Sequence, residues 1–546
     1  MKSSIDALRI EMKKRGLKAY IIPNNDEFGN EYLPDSAKRL EYLTGFTGSA
    51  GTAVIGITKA AFFTDGRYTL QAANQVDTKT FEIFNISEKR PEDWIYEQQL
   101  EAAYDPWLMS ARESRRYEAK PLNGNLVDII WPTKPPAPTS PAKPQKIEYA
   151  GEDSESKRLR VAQRLHGADM ALITAPDSLN WLLNIRGNDI KYTPICLAYG
   201  VLHKNGKLDL YISRKKATFE ILNFFGKDIK LKEPHQIMEL KGKILLDPAR
   251  TPLAIYQALY ENGAEVIEGE DPCVMPKACK NPTEIAGIRA AHAIDGRAVT
   301  KFLRWVKKQK EIDENWAAIR LEEFRKESPD YIMPSFNTIS GFGANGAIVH
   351  YDHTKNPEPA KFEAGSLYLV DSGAQYEFGT TDITRTIAIG DPSPEMKRAY
   401  TLVLKGHIAL ATAKFPRGTT GSQLDPLARQ FLWKDGKDYD HGTGHGVGHY
   451  LSVHEGPQGI SKRPSFVALQ PGMILSNEPG YYKAGEFGIR IENLVLVVEQ
   501  ENGFLGFETL TLAPLDNTLI NHGMLTDEER DWVHDYENRV EQNMIG

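Results

Sequence analysis

His441-Gly-Thr-Gly-His445-Gly-Val-Gly-His449 lies in the last third of the sequence and places three histidines four residues apart, separated by small residues. Glycine permits positive φ angles and close backbone approach, and an imidazole can bind a metal, donate a hydrogen bond or move a proton. A glycine-rich loop with surface histidines is the alternative interpretation. Carboxylates on both sides of this loop in the sequence favour a metal-binding or catalytic loop.

Two aspartates precede the loop, each next to an apolar segment. Asp371 ends the strand pattern Ser366-Leu-Tyr-Leu-Val-Asp371, and Asp382 follows eleven residues later in a second strand pattern. The glycine-containing segment between them predicts a hairpin that brings the two carboxylates together. Two ionised carboxylates in one dry site repel each other unless one is protonated or a cation lies between them.

Two glutamates follow the loop in the same arrangement. Glu478 ends an apolar strand pattern, and Glu492, fourteen residues later, precedes the apolar run that starts at Leu494. Four carboxylates would carry four negative charges, which two divalent cations would balance. Such an oxygen-rich site with one imidazole suits Mn²⁺, and less distinctively Zn²⁺, Co²⁺ or Fe²⁺. Two metals could hold a water between them and lower its pKa, which gives a hydroxide nucleophile near neutral pH. For any single acid, a salt-bridge or strand-end role is the alternative.

Composition excludes several classes of partner. The net charge is −7 and no long Lys/Arg run occurs, so we expect neither nucleic acid nor an anionic membrane as a partner. No apolar run is long enough to span a bilayer, and the first residues lack the apolar core of a signal peptide. The three cysteines are too few for a disulfide framework and are interpreted as free thiols. These features together predict a cytoplasmic protein.

The chain of 546 residues is expected to fold into three domains, over 1–142, 143–280 and 281–546. A proline-rich tract at 131–145 predicts an extended connector after the first domain. The helix-to-strand pattern on its two sides is similar, which indicates two related α/β domains; chance similarity of two α/β units is the alternative. Asn281-Pro-Thr-Glu284 starts a long helix of the third domain, and Thr526-Asp-Glu-Glu529 starts the last one.

The third domain resembles the pita-bread metallopeptidases, a family that includes methionine aminopeptidase, prolidase and aminopeptidase P. The resemblance is strongest to aminopeptidase P of the three-domain cytosolic type and covers nearly the whole chain. It implies two creatinase-like α/β domains followed by a pita-bread catalytic domain (α/β in the broad sense, α+β in the last domain). It is carried by the strings Gly346-Ala-Ile-Val-His350-Tyr, Tyr439-Asp-His-Gly-Thr-Gly-His445, Val453-His-Glu-Gly-Pro457, Asn477-Glu-Pro-Gly-Tyr-Tyr482, Gly488-Ile-Arg-Ile-Glu-Asn493, Trp181-Leu-Leu-Asn-Ile-Arg-Gly-Asn-Asp189 and Phe63-Thr-Asp-Gly-Arg-Tyr68.

The resemblance also implies a role for each site residue. The resemblance implies two divalent cations, with Mn²⁺ as the expected metal, and the implied ligands are Asp371, Asp382, His445, Glu478 and Glu492. Asp382 and Glu492 would bridge the metals, and Glu478 would also carry a proton to the leaving amine. The implied catalytic or substrate-binding residues are His350, His441, His454 and Arg490. His441 and His454 would line the pocket for the proline ring, and His350 would donate to the substrate. His449 is a departure from the family pattern and has no assigned role.

The implied reaction is hydrolysis of the first peptide bond of a chain whose second residue is proline, with a metal-bridging hydroxide as nucleophile. The implied partners are such peptides and a second copy of the chain in a homodimer. Prolidase, which cleaves dipeptides and usually has one N-terminal domain, is the main alternative. Methionine aminopeptidase would leave about half of the chain unexplained, and creatinase lacks the metal ligands. A non-catalytic pita-bread binding module is the remaining alternative, although such modules have lost ligands that this sequence keeps.

Overall fold

A computed structural model of the chain describes residues 4–309 and 311–545. The chain divides into two compact units, one formed by residues 1–145 and 152–274 and the other by residues 146–151 and 275–546. Among the described residues, no helix combines the length and the apolar character that crossing a membrane requires.

The first unit contains two six-stranded sheets with the same strand order. From edge to edge, the first sheet runs Glu82–Asn85, Ala60–Thr64, Thr52–Gly56, Ala19–Pro23, Ala102–Tyr104 and Ala119–Pro121. The second sheet runs Ile229–Lys232, Leu208–Tyr211, Tyr199–His203, Met170–Ile173, Lys243–Leu246 and Glu265–Glu268. Numbered within its own sheet, each set has the order 4-3-2-1-5-6.

The strand directions of the two sheets also agree. Numbered in chain order within each sheet, strand 2 pairs antiparallel with strands 1 and 3. Strand 4 is parallel to strand 3, strand 5 is parallel to strand 1, and strand 6 is parallel to strand 5. A shared order and shared directions over six strands confirm the prediction of two related α/β domains. Helices of this unit are Ser4–Lys14, Arg39–Thr44, Thr69–Gln75, Pro91–Glu97, Ala111–Ser114, Leu126–Ile130, Ser154–Ala162, Pro176–Leu183, Phe219–Phe225 and Leu253–Glu261.

The proline-rich tract contains no helix between residues 131 and 142 and then forms the short strand Lys143–Pro144, which pairs with Ile185–Arg186. Proline has no amide donor and fixes its own φ, so a run of prolines favours extended backbone over helix. The bounds at 142 and 280 remain predictions, because the compact units divide the chain differently.

The second unit is a set of antiparallel sheets between helices. One sheet has the strands Ile339–Phe342, Ser366–Ser372 and Ile383–Ile389, and a second has Met333–Pro334, Ala374–Tyr376 and Gly379–Thr380. A five-stranded sheet runs Glu455–Ile460, Gly444–Gly446, Ile474–Asn477, Asn493–Glu499 and Leu505–Thr509, and Gly480–Lys483 pairs with Phe487–Arg490. The helices are Ile147–Ala150, Pro282–Val306, Glu314–Arg325, Pro394–Ala411, Gly421–Lys434 and Asp527–Ile545, and Val274–Ala278 joins the two units.

Two helix starts of this unit agree with the capping patterns in the sequence. The Asn281 side chain accepts from the Glu284 amide while the Glu284 carboxylate accepts from the Asn281 amide, each at 2.9 Å. Thr526 and Glu529 make the same reciprocal pair ahead of the last helix. Each pair satisfies amide donors that a helix start leaves without an intrahelical partner.

Candidate metal centre

The hairpin between the two aspartates forms as the sequence predicts. Strands Ser366–Ser372 and Ile383–Ile389 are antiparallel, and Asp371 lies opposite Thr384. Asp382 is the residue directly before the second strand. The segment between the strands folds into the short pair Ala374–Tyr376 and Gly379–Thr380, which closes the hairpin. Both carboxylates therefore lie near the same end of the sheet.

The five-stranded sheet supplies the other three predicted ligands. His445 lies in its short strand Gly444–Gly446, and Glu478 and Glu492 flank the neighbouring strands Ile474–Asn477 and Asn493–Glu499. Because these two strands are antiparallel neighbours, with Asn477 opposite Asn493, the glutamates come together at one end of the pair.

Glycines of the histidine loop permit close backbone packing. A β-carbon on Gly444 would lie 2.0 Å from the Ser476 carbonyl oxygen, and one on Gly446 would lie 2.1 Å from that of Glu455. Neither glycine has a positive φ angle. These two positions therefore use the close approach that glycine permits, and neither uses its freedom to adopt a positive φ.

The five predicted ligands form one continuous cluster. Candidate ligand atoms lie within 4.8 Å of one another in three overlapping groups, which are Asp371/Asp382/Glu492, His445/Glu478/Glu492 and Asp382/His445/His454. His445 Nε2 is 3.4 Å from Asp382 Oδ2 and 3.7 Å from Glu478 Oε1. Shared members join the three groups, so the cluster has room for more than one cation.

Burial and mutual repulsion destabilise the ionised acids of this cluster. Desolvation raises the pKa of Asp382 well above its ordinary value, and the nearby Asp371 and Glu478 carboxylates raise it further. The pKa of Glu492 is raised well above its ordinary value for the same reasons, with burial as the larger cause and Asp382 as the next. Burial also raises the pKa of Glu478. The protein thus holds acids together at an electrostatic cost that cations would offset.

Two further observations fit divalent cations. Asp371 Oδ1 is buried and has no hydrogen-bond partner among the residues that the structure describes. His445 Nδ1 lies 2.9 Å from the Gly446 carbonyl oxygen, which can only accept, so Nδ1 carries the proton. That tautomer leaves the lone pair of Nε2 facing the carboxylates, as a metal ligand requires. The donor set of four carboxylates and an imidazole also suits Mn²⁺ or a related cation.

Hydroxyl groups hold two of the glutamates. Thr384 Oγ1 donates to Glu492 Oε2 at 2.7 Å. Ser476 Oγ donates to Glu478 Oε1 at 3.1 Å and accepts from the His445 amide at 2.9 Å. Sequence reasoning missed both residues. Their positions in the sequence could have indicated them, because Thr384 lies two residues beyond Asp382 and Ser476 lies two residues before Glu478.

Arg490 connects the aspartate side of the cluster to His441. Its guanidinium donates to Asp371 Oδ2 at 2.7 Å and to the Tyr482 hydroxyl at 2.6 Å. Because that hydroxyl accepts from Arg490, it donates its own proton to His441 Nε2, at 2.7 Å. His441 Nδ1 in turn donates to the Gly442 carbonyl at 2.7 Å. Both ring nitrogens of His441 are therefore bonded within the protein, and Tyr482 is a site residue that sequence reasoning missed.

The remaining histidines differ in how close they lie to the carboxylates. His454 packs edge-on against His445 with ring centroids 4.3 Å apart, and its ring nitrogen falls within one of the ligand groups. His350 is half-buried in a turn, next to Val349, whose carbonyl accepts from Arg490 at 3.3 Å. His449 is buried and keeps no assigned role.

The sequence pattern described as "Metallopeptidase family M24" matches residues 286–499, and the C-terminal region of the same family matches residues 503–545. Two matches to "Creatinase/Prolidase N-terminal domain" cover residues 5–129 and 133–284. A probable Xaa-Pro aminopeptidase P of Ajellomyces capsulatus is 39% identical over 98% of this chain and 94% of its own length. The chain belongs to the Xaa-Pro aminopeptidase P family.

Solved structures agree with membership of the Xaa-Pro aminopeptidase P family. The X-prolyl aminopeptidase of Caenorhabditis elegans, described as a cytosolic enzyme with a di-nuclear active site, is 33% identical, has a TM-score of 0.93 and covers 99% of this chain and 95% of its own. A prolidase of Thermococcus sibiricus is 25% identical with a TM-score of 0.55, and it covers only 67% of this chain although 98% of its own. The predicted family and the fold class of creatinase-like and pita-bread domains are thereby confirmed, in preference to prolidase.

Proposed function

We propose that this chain is a metal-dependent aminopeptidase that hydrolyses the bond between the first residue of a peptide and a proline at the second position. The observation that carries the proposal is the cluster of four carboxylates, three of them buried, and His445, which lies in a chain similar over nearly its whole length to Xaa-Pro aminopeptidases. We further propose that the enzyme acts in the cytoplasm as a homodimer and that its domains span 1–142, 143–280 and 281–546.

Two divalent cations fit the cluster, and we propose Mn²⁺ for both. The residues that would hold them are Asp371, Asp382, His445, Glu478 and Glu492, with Asp382 and Glu492 shared between the two. When bound, two such cations supply an activated water and a Lewis acid for the scissile carbonyl. The four carboxylates match the charge of two divalent ions, and one imidazole among oxygen ligands favours Mn²⁺ over softer metals.

Glu478 is the residue that we assign to proton transfer. Its Oε1 accepts from Ser476, so Oε2 is the oxygen left to take a proton from the attacking water. Burial raises its pKa in the metal-free protein, and a carboxylate beside the attacking water can accept a proton from it as a general base. The same oxygen then returns the proton to the proline nitrogen as the carbon–nitrogen bond breaks.

The histidines and Arg490 would orient the substrate and the ligands. His350 and His454 are assigned to the substrate carbonyl. Arg490 holds Asp371 and, through Tyr482, fixes His441. His441 is assigned to the lining of the proline pocket. Because both of its ring nitrogens already have hydrogen-bond partners, it would contact the proline through its ring edge. An X–Pro bond is a tertiary amide without an N–H, so a pocket for a ring, rather than an acceptor for an amide proton, is the feature that selects it.

A panel of peptides tests the proposed specificity. Arg-Pro-Pro is expected to lose its first residue, whereas Arg-Ala-Pro and the dipeptide Arg-Pro should react poorly, as followed by chromatography of the products. Cleavage confined to the dipeptide would indicate a prolidase.

Exhaustive chelation should abolish hydrolysis and added Mn²⁺ should restore it, whereas full activity in metal-free protein would refute the metal dependence.

A further inference from the structure

A buried ion pair lies directly behind the two aspartates of the metal centre. Asp295 is in the helix Pro282–Val306 and Arg325 ends the helix Glu314–Arg325. Arg325 Nε donates to Asp295 Oδ1 at 2.7 Å, and a second guanidinium nitrogen donates to Oδ2 at 3.1 Å. The Asp295 side chain is 0% exposed and the Arg325 side chain is 2% exposed, so the pair is shielded from water.

The pair contacts both sides of the hairpin that carries the metal-centre aspartates. Arg325 donates to the hydroxyl of Ser372, at 3.1 Å, and Ser372 directly follows Asp371. Thr381 directly precedes Asp382, and its hydroxyl donates to Asp295 Oδ2 at 2.6 Å. One ion pair therefore contacts the neighbours in sequence of both aspartates.

Other bonds close the hairpin around Thr381. Its hydroxyl accepts from the Ala374 amide at 2.9 Å, and its carbonyl accepts from Ser335 at 2.8 Å. The Tyr376 hydroxyl adds a longer bond of 3.3 Å to Asp295. A β-carbon at Gly373 would lie 2.0 Å from the Thr381 carbonyl oxygen, so the two sides of the hairpin are in close contact at this point.

We propose that Asp295 and Arg325 are positioning residues of the metal centre, which set the separation of Asp371 and Asp382 and thereby the affinity for divalent cations. The inference rests on the proposed metal-dependent function. Buried ion pairs add little net stability compared with apolar side chains of similar volume, but a bidentate pair fixes geometry in two directions. Groups that orient metal ligands from behind typically change metal affinity by roughly 10–100-fold when altered.

The test is Co²⁺ binding to the metal-free full-length protein, measured by calorimetry and by the d–d absorption bands. Thr381→Val removes the hydroxyl, Thr381→Ser keeps it, and Arg325→Lys keeps the charge but loses the two-point contact. We expect Thr381→Val and Arg325→Lys to bind Co²⁺ roughly 10–100-fold more weakly, with altered bands. Thr381→Ser should restore values close to those of the wild type.

A second buried ion pair provides the control. Asp189 and Lys216, in the other compact unit, are 0% and 5% exposed and lie 2.6 Å apart. Asp189→Asn should lower the stability of the fold without changing the affinity for Co²⁺ or the absorption bands. Wild-type affinity in both Thr381→Val and Arg325→Lys would overturn the positioning role, and so would an equal loss in Asp189→Asn. No Co²⁺ binding by the wild type would instead overturn the proposed function.

Discussion

The metal centre and a cluster formed by Glu455, Lys277 and Lys280 both bury carboxylates in the same compact unit, but they balance charge differently. In the Glu455 cluster a single acid contacts Lys280 at 2.6 Å and Lys277 at 2.8 Å, and all three side chains are at most 2% exposed. The metal centre holds four acids, and among the described residues only Asp371 forms an ion pair with a lysine or arginine, namely Arg490.

The number of lysine or arginine partners per acid distinguishes the Glu455 cluster, which is structural, from the metal centre, which is a ligand site. Burying a charge without a partner is costly, and Glu455 avoids most of that cost through its two lysine partners. In the metal centre the pKa values of Asp382, Glu478 and Glu492 are raised instead, and cations from solution would stabilise these carboxylates. Removal of a buried carboxylate should therefore stabilise the metal-free protein in the metal centre and destabilise it in the Glu455 cluster.

Asp382→Asn is the change with the largest expected effect on activity. It removes a predicted bridging ligand, so kcat/KM for Arg-Pro-Pro should fall by more than the roughly 100-fold that residues behind metal ligands contribute. The same change should stabilise the metal-free protein, because it relieves repulsion from Asp371 and Glu478. Asp391→Asn, at an exposed acid of the same unit, is the control for both measurements. Metal-dependent turnover at the wild-type rate would contradict the ligand assignment.

Glu455→Gln should have the opposite effect on the fold. It leaves two buried lysines without their carboxylate, and breaking a buried pair in this way costs about 3–5 kcal/mol. Urea unfolding of the metal-free protein, followed by fluorescence, would measure the loss. An unchanged midpoint would contradict the structural role assigned to the Glu455 cluster.

Asp26 adds a third case, a buried acid satisfied by neutral donors alone. Its carboxylate accepts from the Phe28 and Asn30 amides, each at 3.0 Å, and burial raises its pKa from 3.8 to about 6. Because the folded-state pKa is the higher one, the folded protein takes up a proton more readily. Stability is therefore greatest below about pH 4 as far as this group is concerned, and is lost as pH rises through about 6.

The loss attributable to Asp26 is roughly 3 kcal/mol at neutral pH, at about 1.4 kcal/mol per pKa unit. The difference in unfolding free energy between the wild type and Asp26→Asn, measured from pH 4 to pH 8, should follow this dependence. A difference that does not vary with pH would contradict the assignment to Asp26.

Tyr482→Phe should have the smallest effect. It breaks the link between Arg490 and His441 but keeps the bond from Arg490 to Asp371. A loss of about 1.4 kcal/mol, close to the lower end of the range for a hydrogen bond to a charged group, corresponds to a fall of about 10-fold in kcat/KM. Co²⁺ affinity should remain that of the wild type. Tyr481→Phe, at the neighbouring ring, is the matched control, and an equal fall in that variant would remove the special role of Tyr482.

Much of the site was predictable because each ligand carries a local signal. Asp371 and Glu478 each follow an apolar strand pattern, and His445 lies in a distinctive glycine-rich string, so short stretches of sequence were enough to identify them. The paired α/β domains were predictable for a related reason, since the order of helices and strands is itself local.

The residues that support the ligands were not predictable in this way. Arg325 and Asp295 lie 30 residues apart in the chain, and Thr381 lies 86 residues from Asp295. Nothing in a salt-bridge residue or a strand-end threonine indicates which distant partner it meets. The sequence also does not show which property of Gly444 the fold uses, because a glycine that avoids a collision and a glycine that adopts positive φ look the same in sequence.

The repeated 4-3-2-1-5-6 strand order of the first unit has an evolutionary consequence. A duplicated domain gives the chain two scaffolds of one design, so loops at the ends of one sheet can change while the core of the other stays intact. Related chains are therefore expected to diverge fastest in the loops of these two sheets and slowest in the strands around the metal centre.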